Sequence, residues 1–590
     1  MRKIALLTGF LFFCLITILP AQTHNAVSLD DQRIYSFLEQ AELRGYIDRL
    51  PQVKPYTKSF VLGLLEDLNR TRRRMSVAEQ VVFQGLYNNY VIDKDQDLLK
   101  DGDYRFDDEV FPFRVETSAD MKISANASSI KDSAALAEGR MGASGDLGES
   151  ISWGLALEMG LYKVDDYNSA TSYGPTAYAP YSYSKDWEGG INYITSPNKY
   201  NGMPTDLALG RSYETEIAAS FFDNQAEFRF GRLKREWGAV GESSLFLDGD
   251  AQAFMGIEGT VKPRKWVNFS FITGTLDYGE NFREMDDFSI KGTASTQQNM
   301  FSLLQVELMP TDWLYLSAFD GGVFLKRSEL GYWMPLMSRF LNQNNVGDYD
   351  NLALGGSIVV SKAGLGKAYF SLFLDEARFN HPDFFGNYAN MYSFQTGIKG
   401  PVPGLPMTTA VLQYTKVEPY TYSHYYVDDS PWYPSSGDDN PGMETGYMNG
   451  GEALGSGLEP NTDEIMLGFE SLLPQGISLN GGYRLVRHGI GQGSSFASWD
   501  DSPEDAGAYN TNDSKDFLKD GTYQWFHIGT LGGEWDLSSK GQPVSIGLSY
   551  SYVFSYYTDY KSNGDFTAID TVNYENDTRH LMSLSVKIFP

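Results

Sequence analysis

The sequence is poor in cysteine and in basic residues, and both shortages narrow the classes of protein that it can encode. Its 590 residues include one cysteine, Cys14, which lies in an apolar stretch near the amino terminus. The chain beyond that stretch can therefore form no disulfide and offers no thiolate chemistry. Lysine and arginine number 47 against 76 aspartate and glutamate, which gives a formal net charge of −29. So acidic a chain argues against nucleic acid and anionic lipid as partners.

Long apolar runs are missing after the amino terminus. The opening MRKIALLTGFLFFCLITILPAQ places Arg2 and Lys3 before an apolar run, Ile4–Leu19, which is typical of a secretory signal peptide. We expect residues 1–21 to be that signal peptide, with cleavage after Ala21. No later segment approaches the roughly 18 apolar residues of a membrane helix. The exported chain is therefore expected to be soluble or to span a membrane as a barrel.

Motifs for catalysis and for metal binding are incomplete. The acidic run DKDQDLLKDGDY begins like a calcium loop, but Leu98 stands where the loop needs glycine and Tyr104 where it needs a bidentate glutamate. The six histidines are scattered, none at HExxH spacing, and no GxSxG elbow occurs. Asp375 and Glu376 are adjacent, so on a strand they would face opposite ways. We predict no catalytic residues, no metal site and no cofactor.

The segment 28–90 has the spacing of helices. Apolar residues recur at helical intervals over Ile34–Leu43, again after Thr57, and a third time over Ser76–Tyr90. We predict a small bundle of three helices with a linker within residues 22–110. It could pack against the periplasmic end of a barrel or bind a partner.

From Phe111 onward, apolar and small or polar residues alternate with a period of two. In VSIGLSYSYVFSY (544–556) every large aromatic residue and most aliphatic ones occupy even positions, and the odd positions carry mostly serine. This period indicates a β-strand with two unlike faces. A soluble strand has about 5–6 residues at the mode, whereas a tilted membrane strand needs about 9–11. The length of the alternation therefore suits a membrane strand.

Two architectures fit strands of this kind: a soluble β-sandwich and a barrel that faces lipid outside and water inside. Charges at mid-strand, such as Glu227, Arg229 and Glu464, suit a wide watery lumen, and the connections alternate between long and short. The final HLMSLSVKIFP also alternates. We predict an all-β transmembrane barrel over residues 111–590, with the even-numbered side chains of 544–556 towards lipid and the serines towards the lumen.

The segment YTYSHYYVDDSPWYP (420–434) combines aromatic rings with carboxylates. Rings stack on sugar faces, and carboxylates accept hydrogen bonds from sugar hydroxyls. Tyr425, Tyr426, Trp432, Asp428 and Asp429 are therefore candidate ligand-binding residues. The same rings also fit an aromatic girdle or plain loop packing.

The segment FRFGRLKREWGAVGESSLFLDGDAQAF (228–254) resembles the Wzi family of outer-membrane capsule-assembly proteins, in which the form GR…WGPG…SLLLSDNAPPF is typical. The matching residues are Gly231, Arg232, Trp237, Gly238, Ser244, Leu245, Leu247, Ala251 and Phe254. Downstream, ELGYWMPL, GDYDNLALGG, YFSLFLDEARF and SFQTGIKG follow in the family's order. Ala239 and Val240 depart from the family's pattern. The resemblance covers residues 30–415.

This resemblance implies an outer-membrane barrel of about eighteen antiparallel strands with a periplasmic helical bundle. It also implies a lectin-like role in anchoring capsular or other surface polysaccharide in a diderm bacterium. The expected partners are that polysaccharide, outer-membrane lipid and the barrel-assembly machinery. Two other functions remain open, a porin or solute-uptake channel and a surface adhesin.

Arg232 and Trp237 are two further candidate ligand-binding residues. A charge at mid-strand beside a tryptophan predicts an inward cluster in which Glu227 or Glu236 is the partner of Arg232.

Overall fold

The structure is a computed structural model. It describes residues 25–90, 104–106, 113–128, 134–147, 151–164, 207–222, 225–276, 299–325, 329–335, 337–346, 350–377, 383–387, 390–423, 445–449, 452–490, 493–494, 515, 517–519, 521–537, 542, 544–560, 566–567 and 576–588.

Three helices form an amino-terminal helical domain: α1 (Gln32–Leu43), α2 (Lys58–Thr71) and α3 (Val77–Tyr90). Helix α2 begins where predicted, because the Thr57 side chain accepts a hydrogen bond from the backbone N–H of Phe60 at 3.1 Å. The helices share one apolar core that includes Phe37, Leu65 and Phe83. None of the helices in the described ranges combines the length and hydropathy needed to cross a membrane. The predicted helical bundle is confirmed.

Eighteen long antiparallel strands close into a barrel. In chain order they are β1 (Phe113–Ser128), β2 (Ala134–Leu147), β3 (Ile151–Val164), β4 (Leu207–Phe221), β5 (Ala226–Leu233), β6 (Phe254–Arg264), β7 (Val267–Thr275), β8 (Asn299–Thr311), β9 (Leu314–Leu325), β10 (Asn351–Lys362), β11 (Gly366–Glu376), β12 (Met391–Pro401), β13 (Thr408–Val417), β14 (Thr462–Leu473), β15 (Ile477–Ile490), β16 (Thr522–Asp536), β17 (Val544–Tyr560) and β18 (Asp577–Ile588). Two short helices, α4 (Leu330–Trp333) and α5 (Arg339–Val346), lie in the β9–β10 connection.

Each long strand pairs with its neighbours in sequence, and β18 pairs with β1 over ten residues from Arg579↔Ser128 to Ile588↔Ala119. Among the described strands of the barrel, this pairing leaves no free edge on which another chain could add. A short strand in the predicted linker, Tyr104–Phe106, also pairs with β1.

The two ends of the barrel differ. Short turns join strands at one end, here the near end, and the connections at the other, the far end, are long except for residues 129–133 between β1 and β2. The helical domain sits at the near end, where the backbone N–H of Gly364 in the β10–β11 turn donates to the Leu43 carbonyl at 2.8 Å. Met407 and Leu472, next to two other near-end turns, belong to the core of the helical domain.

The outer wall of the barrel is apolar and the inner wall is largely polar. In β17, Ile546, Leu548, Tyr550 and Tyr552 are 40–58% exposed, whereas Ser551 is 3% exposed. Exposed apolar residues recur around the wall in the other strands, for example Ile217, Ile358, Leu467 and Leu584. In a soluble protein the apolar side chains face inward and the polar ones outward. The reverse arrangement seen here is typical of a transmembrane barrel. It confirms the predicted barrel and the predicted lipid-facing residues of 544–556.

Labelling of single cysteines on β17 can check this assignment. In membranes, we expect Leu548→Cys and Tyr550→Cys to react with a lipid-soluble maleimide and to resist a water-soluble one. Ser549→Cys, one position away, should resist the lipid-soluble reagent because its side chain points inward. Equal reactivity of Leu548→Cys and Ser549→Cys with both reagents would argue against the barrel.

Candidate functional site in the barrel lumen

Between β5 and β6 the chain leaves the wall and crosses the interior of the barrel. We call residues 234–253 the lumenal segment. Its Phe246 ring stacks on that of Phe319 in β9, with centroids 4.7 Å apart and planes 7° apart. Its Glu242 forms an ion pair with Lys399 in β12, with 2.7 Å between carboxylate oxygen and Nζ. Because β9 and β12 are not neighbours of β5, the segment spans the lumen.

Local sequence gives the lumenal segment its compact turn. The Trp237 N–H donates to the Leu247 carbonyl at 2.8 Å, and the Ser244 hydroxyl donates to the Trp237 carbonyl. Gly238 has φ of +75°, and a Cβ there would lie 2.2 Å from the Phe246 ring. Only glycine satisfies both conditions without strain.

Three further parts of the chain pack on the lumenal segment from both ends. From the near end, the Gln52 carbonyl accepts from the Gly238 N–H at 2.7 Å. From the far end, the Tyr447 hydroxyl donates to the Phe246 carbonyl at 2.7 Å, and the Tyr422 hydroxyl to the Leu245 carbonyl at 3.1 Å. We call residues 50–54, 234–253, 420–423, 445–449 and 452–461 together the lumenal plug.

A continuous apolar core joins the lumenal plug to the wall. Its buried members from the wall, with Leu276 directly after β7, are Leu233, Phe254, Ile272, Leu276, Phe301, Leu303, Phe319, Val323, Ala353, Phe373, Val417, Val486, Phe526, Ile528 and Val553. The members from the plug are Trp237, Leu245, Phe246, Leu247, Ala251, Tyr422, Tyr447, Met448, Ala453, Leu454 and Leu458. The sequence predicted a wide watery lumen, whereas packed side chains occupy it at this level. The physical reason is that many inward positions of β7–β11 are apolar and need a partner.

Buried ion pairs hold the start of the lumenal segment to the wall. The Arg235 guanidinium donates to Glu216 and Glu258, each at 2.7 Å, and Arg229 donates to the other oxygen of Glu216 at 2.8 Å. The backbone N–H of Ala26 donates to the same Glu216 oxygen at 3.2 Å. One carboxylate of β4 therefore contacts the wall, the lumenal segment and the amino-terminal segment. Removing one partner from such a buried cluster costs about 3–5 kcal/mol.

A cavity of about 440 Å³ lies between α1, residues 50–54 and the inner wall. Both oxygens of the Glu39 carboxylate accept hydrogen bonds in it, one from Lys367 and one from Lys399, at 2.8 Å each. Burial raises the pKa of Glu39, but the two ammonium groups outweigh burial and hold that pKa well below its usual range. Because Lys399 also pairs with Glu242, one lysine links the helical domain to the lumenal segment.

Of the residues predicted to bind ligand, Trp237 is completely buried in the core of the plug. Arg232 lies on the same face of β5 as Phe228 and Phe230, which are exposed on the outer wall. Its own side chain is buried, and its guanidinium lies 4.9 Å from the centre of the Tyr213 ring. The predicted inward cluster around Arg232 is therefore wrong, because strand alternation turns it outward.

Arg229, three residues earlier, occupies the inward position instead, with Glu216, Glu227 and Glu258 within 3.8 Å. Glu236 pairs with Lys54 at 2.6 Å.

The other five predicted residues, Tyr425, Tyr426, Trp432, Asp428 and Asp429, lie outside the described residues. Their neighbours Tyr420 and Tyr422, from the same aromatic segment, are buried in the lumen. In the part of the chain that the structure describes, no three His, Cys, Asp or Glu side chains converge to hold a metal ion.

Sequence reasoning did not identify Glu39, Lys399 or Phe246 as residues that link the barrel to its contents. The available signal for Phe246 was its place within the segment 228–254, and no signal in the sequence paired Glu39 with Lys399.

The plug predicts a specific sensitivity at Gly238. Gly238→Ala should lower the free energy of unfolding by about 1–3 kcal/mol, because alanine is strained at positive φ and its methyl group meets Phe246. Gly457→Ala is the matched control, since nothing lies within 4 Å of a Cβ there. The free energy of unfolding of both variants can be measured by titration with urea. The fraction that stays folded is read from the band of the folded barrel after gel electrophoresis without heating. Equal stability of the two variants would contradict the tight packing.

The Glu39 ion pairs predict that acid weakens the docking of the helical domain. Because the folded pKa is depressed, the stabilisation is complete above the unfolded value of about 4.3 and is lost as the pH falls below it. Hydrogen exchange in α1, corrected for its intrinsic rate, should therefore stay slow from pH 7 to about pH 5 and accelerate as the pH falls further to about 3.

Glu39→Gln should raise exchange at pH 7 and flatten this pH dependence, whereas Glu66→Gln, an exposed position on α2, should leave it unchanged. A wild-type pH dependence in Glu39→Gln would assign the effect to other groups.

No family model matches the chain, and no curated protein matches it. Among solved structures, the chain is similar to Wzi, a carbohydrate-binding outer-membrane β-barrel involved in group 1 capsule assembly in Escherichia coli. The TM-score is 0.52 and the identity 14%, over 96% of this chain and 99% of that chain.

Two Pseudomonas aeruginosa structures are more distant. For OccK11 (OpdR) the TM-score is 0.37 at 12% identity, over 80% of this chain and 96% of that chain. For OpdK with vanillate the TM-score is 0.38 at 11% identity, over 80% of this chain and 98% of that chain. The TM-score of 0.52 with Wzi supports a shared fold, that of an outer-membrane β-barrel.

Proposed function

We propose that the protein is an outer-membrane barrel that binds and anchors capsular or other surface polysaccharide. The observation that carries this proposal is the lumenal plug. A solute channel needs a continuous water path, whereas this interior is crossed by a close-packed core that involves strands β5–β11, β13 and β15–β17. A barrel filled in this way suits a rigid platform for loops at its far end.

The orientation follows from the connections. Barrels of outer membranes place short turns in the periplasm and long loops at the cell surface. The helical domain would then lie in the periplasm and the long connections outside the cell. An amino-terminal signal peptide over residues 1–21 and insertion by the barrel-assembly machinery fit the same placement.

Polysaccharide as the ligand rests on two supports. The first is the shared fold with Wzi, which is described as carbohydrate-binding. The second is the aromatic and acidic composition of the connection between β13 and β14, which contains Tyr425, Tyr426 and Trp432 together with Asp428 and Asp429.

The plug fixes both ends of that connection. On one side, the Tyr422 backbone N–H donates to the Asp375 carboxylate at 2.6 Å. On the other side, Tyr447 is completely buried, and its backbone N–H donates to the Tyr422 carbonyl at 2.7 Å. Loops whose ends are held lose less conformational entropy on binding, which favours affinity for a ligand.

Replacing Tyr425, Tyr426 and Trp432 together with alanine should release polysaccharide from the cell surface. Stacking on an aromatic ring is worth roughly 1–3 kcal/mol per base in nucleic-acid complexes, so the loss of three rings should lower retention at least about tenfold. The measurement is the ratio of cell-bound to released polysaccharide. An anionic polysaccharide would need a divalent cation beside Asp428 and Asp429, in which case EDTA should also release it.

The control is Tyr550→Leu with Tyr552→Leu, which changes exposed rings on the outer wall of β17. A triple variant that migrates as a folded barrel and keeps its polysaccharide would show that these rings are packing residues.

Conductance separates anchoring from transport. The purified protein should leave a planar bilayer non-conducting, because the packed core of the plug crosses the lumen. A steady open-channel current from the wild-type protein would favour a porin or uptake channel instead.

A further inference from the structure

The near-end rim of the barrel carries exposed cations in a chain whose formal net charge is −29. The β6–β7 turn exposes Arg264, Lys265 and Trp266 in succession, and the β10–β11 turn exposes Lys362 and Leu365. Within the described ranges, none of the three cations, Arg264, Lys265 and Lys362, forms an ion pair. Their charge is therefore available to a partner outside the chain.

Exposed apolar side chains lie beside these cations along the rim. Trp266 is 51% exposed, Trp313 in the β8–β9 turn 53%, and Leu365 70%. The turns are adjacent, because Trp266 accepts through its carbonyl from the N–H of Met309 at 2.8 Å, and Trp313 accepts from Ser361 at 2.9 Å. Successive turns are two strands apart, or about 10 Å. The cations and the exposed apolar side chains therefore form one band. We call this band the basic rim: Arg264, Lys265, Trp266, Trp313, Lys362 and Leu365.

The helical domain adds further positive charge beside this band. Arg72, Arg73 and Arg74 are exposed at the end of α2. The Arg74 guanidinium donates to the Gly45 carbonyl at 2.7 Å. Gly45 in turn lies against Ala363, where a Cβ on the glycine would be 2.6 Å from the alanine Cβ. Residues Arg72–Arg74, here the arginine turn, are therefore held over the β10–β11 turn.

We propose that the basic rim, with the arginine turn beside it, binds the headgroups of anionic phospholipids in the leaflet at the near end. Tryptophan belongs at the level of the headgroups, with its ring among the first acyl carbons. Arginine and lysine at the same level attract anionic lipid, by about fivefold for each basic residue near the surface. The site is independent of what the far-end connections bind.

The net charge of the chain would repel anionic lipid, but the local charge decides this contact. At physiological ionic strength, charges further than about 8 Å are largely screened. Within the three turns of the rim the exposed acidic group is Asp312, against Arg264, Lys265 and Lys362. A soluble phosphate could use the same cations, but it would gain nothing from the exposed rings and Leu365. The combination therefore favours a lipid.

Tryptophan quenching by brominated lipid tests the proposal. The full-length protein is folded into mixed bilayers of phosphatidylcholine and phosphatidylglycerol, with bromine on one lipid at a time. Brominated phosphatidylglycerol should quench more than brominated phosphatidylcholine at equal content. Trp266→Phe with Trp313→Phe should remove this excess, which assigns it to the rim.

Three charge variants test whether charge causes the preference for phosphatidylglycerol. Arg264→Gln, Lys265→Gln and Lys362→Gln together should lower the preference for phosphatidylglycerol at least about fivefold. The matched set Arg264→Lys, Lys265→Arg and Lys362→Arg keeps the charge and should keep the preference, and Asp312→Asn should increase it. A neutralised variant that folds and still prefers phosphatidylglycerol, or a charge-preserving set that loses the preference, would overturn the proposal.

Discussion

The Glu216 carboxylate holds together the three parts of this molecule. It accepts from Arg229 in the wall, from Arg235 at the start of the lumenal segment and from the backbone of Ala26 ahead of α1. Since a buried carboxylate that lacks these partners is costly, the closed wall is less stable when the lumenal segment and the residues ahead of α1 are not in place. The packing of the lumenal segment inside the barrel and the closure of the wall are therefore energetically coupled.

The same principle operates at the other ion pairs of the interior. Lys399 reaches both Glu39 in the helical domain and Glu242 in the lumenal segment, so the domain at the near end and the interior share a cation. Towards the far end, Tyr422 and Tyr447 donate to carbonyls of the lumenal segment. A mechanical link therefore runs from the helical domain to the ends of the β13–β14 connection. Such a link suits the anchoring role that we propose.

The elements themselves were predictable because their periodicity is strong. Helices α1–α3 and the alternation of β17 appear in the structure where the spacing of apolar residues placed them. Arg232 shows the limit of this reasoning. A charge next to a family-like tryptophan suggested an inward cluster, but alternation along β5 turns Arg232 outward and Arg229 inward. Trp237, four residues after β5 ends, is buried because the chain has already left the wall.

The sequence by itself determined the barrel, its apolar outer face and the three helices, because each depends on local periods of 2 or 3.6 residues. Only the tertiary structure decided what fills the barrel. The contacts of Phe246 with Phe319, and of Glu39 with Lys399, join residues far apart in the chain. No local pattern encodes such pairs, because they depend on the curvature of the closed wall and on which inward positions meet across the lumen. The conversion of a predicted watery lumen into a packed one follows from those long-range contacts.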